Sequence, residues 1–254
     1  PAILSGKNVL ILAETGTGKT ESAILPIFDF LISKKAEPIG ALYITPLKSL
    51  NRDLLDRMIW WGNQTGLEIS VRHGDTSQYE RKMQLEFPPH LLVTTLETLQ
   101  PIITAKRFRD HLRKVKWVIL DEVHETVDSK RGVQLTVALE RLRELCGDFQ
   151  LIMLSATVGQ PEKVGKFFTG GRDFEILKAD TTKKIDIKVI SPDPKIGDNS
   201  IAEKIFTSKE IAARLRVIMD MIKKSRSSLI FTNTRQFAEI LGSRIKTIDR
   251  NFPV

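Results

Sequence analysis

The sequence predicts an α/β protein built on a doubly wound parallel sheet. Short aliphatic runs alternate with longer amphipathic segments, and the runs show no polar alternation. Uninterrupted Val, Ile and Leu runs are typical of strands covered on both faces. Repeated strand–helix–strand units favour right-handed crossovers between parallel strands. The predicted strands are Asn8–Ala13, Ala41–Thr45, Glu68–Arg72, Leu91–Thr95, Trp117–Asp121 and Leu151–Ser155.

The order of helical and loop patterns predicts two domains. Apolar residues recur at helical spacing in Gln134–Leu145, with charged residues on the opposite side. Composition changes near residue 178, and a Pro-, Gly- and Asp-rich loop follows. Beyond it the pattern predicts a helix over 208–224, a strand over 228–232 and a helix over 235–246. We therefore predict a complete domain over 1–178 and, over 179–254, a linker and the truncated start of a second domain, since about 75 residues are too few for another like the first.

Composition limits the class of protein. A 41% hydrophobic and 28% charged content suits a soluble globular protein, and no apolar run is long enough to span a bilayer. The single cysteine, Cys146, excludes an intrachain disulfide and favours a reducing, cytoplasmic location. The start at Pro1, without Met or a signal peptide, predicts that the sequence is a piece of a longer protein.

The net charge of +8 is concentrated in one region. Residues 181–226 hold eleven Lys/Arg against six Asp/Glu. This excess suits a polyanionic partner such as nucleic acid. A solvated face of a Lys-rich protein explains it equally well.

The segment 13–20 predicts a phosphate-binding loop. A buried strand leads into a Gly-rich turn, then Lys-Thr, then a helix. The glycines allow backbone N–H groups to surround phosphate oxygens, Lys19 can reach the outer phosphates, and the Thr20 hydroxyl can ligate Mg²⁺. Ala13 stands where the usual pattern has Gly, and the alternative is a plain turn between strand and helix. The predicted ATP contacts are Thr15, Gly16, Thr17, Gly18, Lys19, Thr20 and Glu21.

Two acids follow the fifth predicted strand. Asp121 would bind Mg²⁺ opposite Thr20, and Glu122 would polarise the attacking water. With Lys19 they form the predicted catalytic set; the alternative is an exposed acidic pair. The spacing of His124 suggests a link between the ATP site and a nucleic-acid surface, although a lone His is more often structural.

The order of these motifs resembles that of a superfamily 2 helicase of the DExH type. A narrower resemblance is to the large helicase-related (Lhr-type) group of the Ski2-like helicases, carried by Arg72–Thr76, Ser129–Gly132 and Ser155–Gly159. The helicase motifs are Ala13–Thr20 (I), Thr45–Leu50 (Ia), Thr94–Leu99 (Ib), Asp121–His124 (II), Ser155–Thr157 (III) and Leu229–Arg235 (IV).

The resemblance implies two RecA-like domains, ATP and Mg²⁺ as cofactors, and 3′-to-5′ translocation on single-stranded DNA or RNA at duplex junctions. It implies that His124, Ser155 and Thr157 couple the ATP site to the strand. For Lys48 and Arg52 a solvated helix face is the alternative. The implied nucleic-acid path is lined by Thr45, Pro46, Lys48, Arg52, Thr95 and Glu97, and in the second domain by Thr232, Asn233 and Arg235.

The resemblance also implies parts that this sequence lacks. Arginine fingers would be supplied from beyond Val254, so the 254 residues alone are expected to hydrolyse ATP poorly. Two other functions stay open at this point. One is a P-loop ATPase or nucleotide switch that is not a helicase, and the other is an ATP-gated nucleic-acid clamp or annealing factor that does not unwind.

Overall fold

The chain forms two compact units, Pro1–Lys183 and Lys184–Val254. The structure is a computed structural model and describes residues 1–46, 52–156, 158–179 and 186–252. The division lies five residues after the boundary expected from composition. Each unit is described separately.

The described residues of the first unit contain a seven-stranded sheet in which every pairing is parallel. The predicted doubly wound parallel sheet is confirmed. The strand order is β3-β4-β2-β5-β6-β1-β7. The strands are β1 Val9–Leu12, β2 Ala41–Thr45, β3 Ile69–Arg72, β4 Leu91–Thr95, β5 Trp117–Leu120, β6 Gln150–Ser155 and β7 Glu175–Lys178.

Helices cover both faces of this sheet. Successive strand residues enter opposite hydrophobic clusters, because side chains alternate along a strand. One cluster packs against α1 and α2, and the other against α4 to α7. The helices are α1 Lys19–Ser33, α2 Arg52–Thr65, α3 Gln78–Glu86, α4 Leu96–Thr104, α5 Lys106–Leu112, α6 Lys130–Cys146 and α7 Pro161–Thr169. No helix within the described ranges is both long and apolar enough to cross a bilayer.

The sheet order brings the predicted motifs to one edge. β6 separates β1 from β5, and β5 pairs with β2 on its other side. Because all strands are parallel, the segments after β1, β2, β5 and β6 leave the same carboxyl edge. In open α/β sheets, ligands bind beyond this edge where the strand order reverses.

The second unit is helical over the part of it that the structure describes. It contains α8 Asp198–Lys204, α9 Lys209–Lys224 and α10 Arg235–Ile248, around a small apolar core. The last two agree with the predicted helices. The strand predicted over Ser228–Thr232 is wrong: Leu229 and Phe231 are 80% and 86% exposed. A strand needs a hydrogen-bonded neighbour, and this segment pairs with none of the described residues.

Candidate active site

The loop between β1 and α1 has the backbone geometry of a phosphate cradle. Gly16 and Gly18 have φ values of +78° and +82°, a region in which a Cβ is strained. The Thr17 hydroxyl donates to the Glu14 carbonyl at 2.7 Å and closes the turn. No side chain caps the start of α1. Its first N–H groups are therefore directed toward an anion that would lie in front of the helix.

Lys19 places a buried ammonium group beside the acids that follow β5. The residue is only 7% exposed, and its Nζ donates to the Ala13 carbonyl at 3.2 Å. The same Nζ lies 3.8 Å from Glu122 Oε2. The Ala13 N–H donates to the Ser155 carbonyl at 3.1 Å, which fastens the loop to the end of β6. The loop and the acids therefore belong to one site.

Asp121 and Thr20 converge on one phenol, that of Tyr43 in β2. The Tyr43 hydroxyl donates to Asp121 Oδ2 at 2.5 Å. Thr20 also hydrogen-bonds to the Tyr43 side chain. The Asp121 N–H donates to the Ile44 carbonyl at 2.8 Å, and its Oδ1 accepts the Glu122 N–H at 2.9 Å. Burial raises the pKa of the Asp121 carboxyl. The carboxylate is thus held in place by neutral donors.

The Thr20 hydroxyl and the Asp121 carboxylate fit Mg²⁺. Both are hard oxygen donors. Both hydrogen-bond to the Tyr43 side chain, Thr20 from α1 and Asp121 from the end of β5. Mg²⁺ is usually held by one or two protein groups together with substrate phosphates and water. Within the described residues, no cluster of three or more His, Cys, Asp or Glu side chains could hold a metal by itself. This donor set is suited to a metal that arrives with a nucleotide.

Glu122 has a strained backbone and an unsatisfied carboxylate oxygen. Its φ and ψ are both 48°, a left-handed conformation that costs about 1–2 kcal/mol for a residue with a Cβ. Its Oε2 is buried and makes no hydrogen bond to the described residues, although Lys19 Nζ and His124 Nδ1 lie 3.8 and 3.3 Å away. Burial, then the neighbouring Asp121, raise the pKa of Glu122. An acceptor of this kind is suited to orienting a water molecule.

His124 connects this turn to β6. It lies in the short 3₁₀ turn Val123–Glu125, and its Nδ1 is 3.3 Å from Glu122 Oε2. The same nitrogen is 3.2 Å from the Ser155 hydroxyl, which is fully buried. His124 and Ser155, two of the predicted coupling residues, are therefore in contact. Thr157, the third, lies outside the described residues.

Four of the predicted nucleic-acid residues of the first unit lie at the same edge, where β2 and β4 end. Thr45 and Thr95 are buried at 6% and 1% exposure, so a contact from either would use its backbone. The Arg131 guanidinium donates a hydrogen bond to the Pro46 carbonyl and forms an ion pair with Glu97. Lys48 and the side chain of Arg52 lie outside the described residues.

Two further sets of predicted residues have local partners. Glu21 forms an ion pair with Arg57 across α1 and α2. In the second unit, Thr232, Asn233 and Arg235 lie together at the start of α10. Arg235 Nε is 3.2 Å from Glu239, one helical turn along.

Sequence reasoning missed Tyr43. It lies in the run Ala41–Thr45, in which every residue is buried, and it was interpreted as strand core. Its hydroxyl was the available signal, because a buried phenol usually has a hydrogen-bond partner. Arg131 lies in Ser129–Gly132, one of the segments that carry the Lhr-type resemblance, but the sequence predicts no role for it.

We expect Tyr43→Phe to raise the Mg²⁺ concentration needed for ATP binding by about tenfold, the size of effect typical of residues that orient metal ligands. Phe keeps the ring packing and removes only the hydroxyl that holds Asp121. The measurement is a Mg²⁺ titration of fluorescent ATP binding by the full-length protein. Tyr79→Phe, at a 71% exposed tyrosine, is the matched control. An unchanged Mg²⁺ midpoint for Tyr43→Phe would contradict this role.

Comparison with known proteins identifies the family of this chain. The family model described as DEAD/DEAH box helicase matches residues 1–164. The "ATP-dependent helicase Lhr-Core" of Sulfolobus acidocaldarius is 39% identical over 263 residues, covering 97% of this chain and 29% of the relative. The protein of the same name from Methanothermobacter thermautotrophicus is 40% identical, covering 95% of this chain and 30% of the relative. The chain therefore spans about 30% of the length of these relatives.

A solved structure also shows similarity to an Lhr helicase. The Mycobacterium smegmatis helicase Lhr, bound to single-stranded DNA and AMP-PNP, superimposes with a TM-score of 0.76 at 32% identity. The match covers 97% of this chain and 32% of that one. The resemblance to the Lhr-type group is confirmed. With residues 1–164 matched by the family model, the chain belongs to the DEAD/DEAH box helicase family.

Proposed function

We propose that this chain is the ATP-binding motor region of an ATP-dependent nucleic-acid helicase or translocase. The observation that carries the proposal is the convergence of Lys19, Thr20, Asp121 and Glu122 at one edge of the sheet. The similarity to proteins named as ATP-dependent helicases supports it.

The geometry supports a defined hydrolysis step. When Mg²⁺ is bound it neutralises charge between the phosphates, and Thr20 and Asp121 would hold it. The loop N–H groups and Lys19 would bind the outer phosphates. Glu122 Oε2 would accept a hydrogen bond from the attacking water and take its proton. The water oxygen bonds to the γ-phosphorus as the bond to the bridging β–γ oxygen breaks, giving ADP and phosphate.

The finer assignments are also proposals. We place single-stranded DNA or RNA along the carboxyl edge beyond β2 and β4, with 3′-to-5′ movement. The Mycobacterium smegmatis relative, bound to single-stranded DNA, supports a single-stranded partner for this chain. Arginines from outside this sequence would complete the charge around the γ-phosphate. The single cysteine supports a reducing compartment, the cytoplasm.

Two assays on the full-length protein test the proposal. We expect single-stranded DNA to stimulate ATP hydrolysis, and ATP to drive displacement of a labelled strand from a duplex with a 3′ overhang. ATP hydrolysis that no DNA or RNA stimulates would favour a P-loop ATPase that is not a helicase. Stimulated hydrolysis without displacement would favour a clamp or annealing factor. Either result would overturn the helicase proposal.

A further inference from the structure

Arg131 carries a positive charge at a position that does not favour one. Ser129 caps the start of α6, and the first turn contains Lys130 and Arg131 but no acid. The N-terminus of a helix carries partial positive charge, so cations in this turn are unfavourable for the helix itself. Lys130 is exposed, and no ion pair to it is found among the described residues. The partners of Arg131 lie outside its own helix.

Those contacts join two separate segments at the carboxyl edge. Arg131 Nη2 donates to the Pro46 carbonyl at 2.5 Å and lies 2.7 Å from Glu97 Oε1. Pro46 follows β2, and Glu97 lies in the first turn of α4 after β4. One guanidinium thus bridges the two segments that the proposed function assigns to the nucleic-acid path.

On its other side, the start of α6 is fixed to the turn that carries the catalytic acid. A Cβ at Gly132 would lie 2.2 Å from the Thr126 carbonyl oxygen, so helix and turn are in direct backbone contact. Ser129 Oγ donates to the same carbonyl at 2.7 Å. Thr126 follows the 3₁₀ turn of His124, whose ring contacts Glu122 and Ser155. A shift of this turn must move the first turn of α6.

We propose that Arg131 couples nucleotide occupancy to nucleic-acid binding, as a positioning residue between the Glu122–Thr126 turn and the segments at Pro46 and Glu97. The inference rests on the proposed function. ATP would shift the turn through Glu122 and His124, and α6 would carry the shift to Arg131. Arg131 would then move the Pro46 and Glu97 segments together relative to the strand. By reciprocity, a bound strand would change the affinity for nucleotide by the same factor.

Stabilisation of the fold is a weaker explanation for this pair. The Arg131 and Glu97 side chains are 40% and 45% exposed, and pairs as exposed as this contribute little to folding. Arg131 Nε is nevertheless buried without a hydrogen-bond acceptor in the described structure. Arg131 therefore leaves its Nε without an acceptor while its Nη2 contacts both Pro46 and Glu97. This geometry favours a role in linking those two segments.

The test measures coupling in the full-length protein. The affinity for a short fluorescent single-stranded DNA is determined by anisotropy with and without AMP-PNP, and the ratio is the coupling factor. We expect Arg131→Ala to reduce this factor at least about fivefold, the lower end of measured allosteric couplings. DNA affinity without nucleotide, and the KM for ATP without DNA, should stay within about twofold. Lys130→Ala, in the same helical turn, is the matched control and should retain the wild-type factor.

Two further variants separate coupling from a general structural defect. Arg131→Lys keeps the charge but not the planar fork, so it should recover only part of the coupling. Glu97→Ala combined with Arg131→Ala should lose little more coupling than Arg131→Ala alone, because both changes break the same link. Thermal unfolding of Arg131→Ala should match the wild type.

The outcomes are distinct. Equal weakening of DNA binding with and without AMP-PNP would make Arg131 a direct phosphate contact and overturn the inference. An unchanged coupling factor would also overturn it. If DNA neither bound the wild-type protein nor stimulated its ATPase, the proposed function itself would fail.

Discussion

Lys19→Ala is expected to weaken the affinity for ATP by about ten- to a hundredfold. Lys19 Nζ is buried beside the loop, 3.2 Å from the Ala13 carbonyl, and in the proposed function it binds the outer phosphates. A hydrogen bond to a charged group contributes about 1.5–3 kcal/mol, and 1.4 kcal/mol corresponds to a tenfold change in affinity. Loss of the ammonium also leaves Glu122 without its nearest cation.

Binding of a fluorescent ATP analogue measures this loss. Lys7→Ala is the matched control. Lys7 lies just before β1, the strand that leads into the phosphate loop, but its side chain is 63% exposed and paired with Glu175. The control should bind ATP as the wild type does. If Lys19→Ala kept wild-type affinity, the loop would not be the phosphate site.

Glu122→Gln is expected to bind ATP normally and to hydrolyse it about 10²–10⁴-fold more slowly, the usual contribution of a general base. The amide preserves size but cannot accept the proton of the attacking water. Single-turnover hydrolysis and equilibrium binding of the same sample separate the two effects. Matched loss of binding and turnover would show that Glu122 holds the nucleotide and does not activate water.

The same substitution should leave the folded protein at least as stable at pH 7. Burial and the adjacent Asp121 raise the pKa of Glu122 above its usual 4.5, so the folded state holds this proton more tightly than the unfolded state. Stability contributed by the protonated group is therefore lost as the pH rises from about 4.5 through the raised value. Because glutamine does not ionise, the Glu122→Gln protein does not lose this stability as the pH rises. Thermal unfolding should show an advantage of Gln at pH 7 that shrinks as the pH falls below the ordinary Glu pKa. A lower melting temperature at pH 7 would contradict this account.

The sequence was most informative about buried strands. Six apolar runs predicted six strands of the sheet, with ends that differ from the structure by no more than one residue. β7 was missed because it is a half-buried edge strand, and its sequence Glu-Ile-Leu-Lys has too few apolar residues to form a run. The segment 228–232 also contains an apolar run, but it pairs with none of the described residues, so local pattern alone predicted a strand that is not observed.

For the site, local motifs located the residues but not their contacts. Lys19 and Glu122 could be assigned roles because each lies in a short motif with its own chemistry. Tyr43 and Arg131 could not, because their importance comes from partners 78 and 85 residues away in sequence, at Asp121 and Pro46. Only the strand order and the register of β2 against β5 bring such partners together.

A crystal structure of the full-length protein with AMP-PNP and Mn²⁺ in place of Mg²⁺ would test the central claim most directly, through the anomalous signal of the metal. We predict a single Mn²⁺ peak between the Thr20 hydroxyl and the Asp121 carboxylate, with the γ-phosphate against Lys19 Nζ and a water on Glu122. A metal ion or a triphosphate bound away from these four side chains would contradict the account.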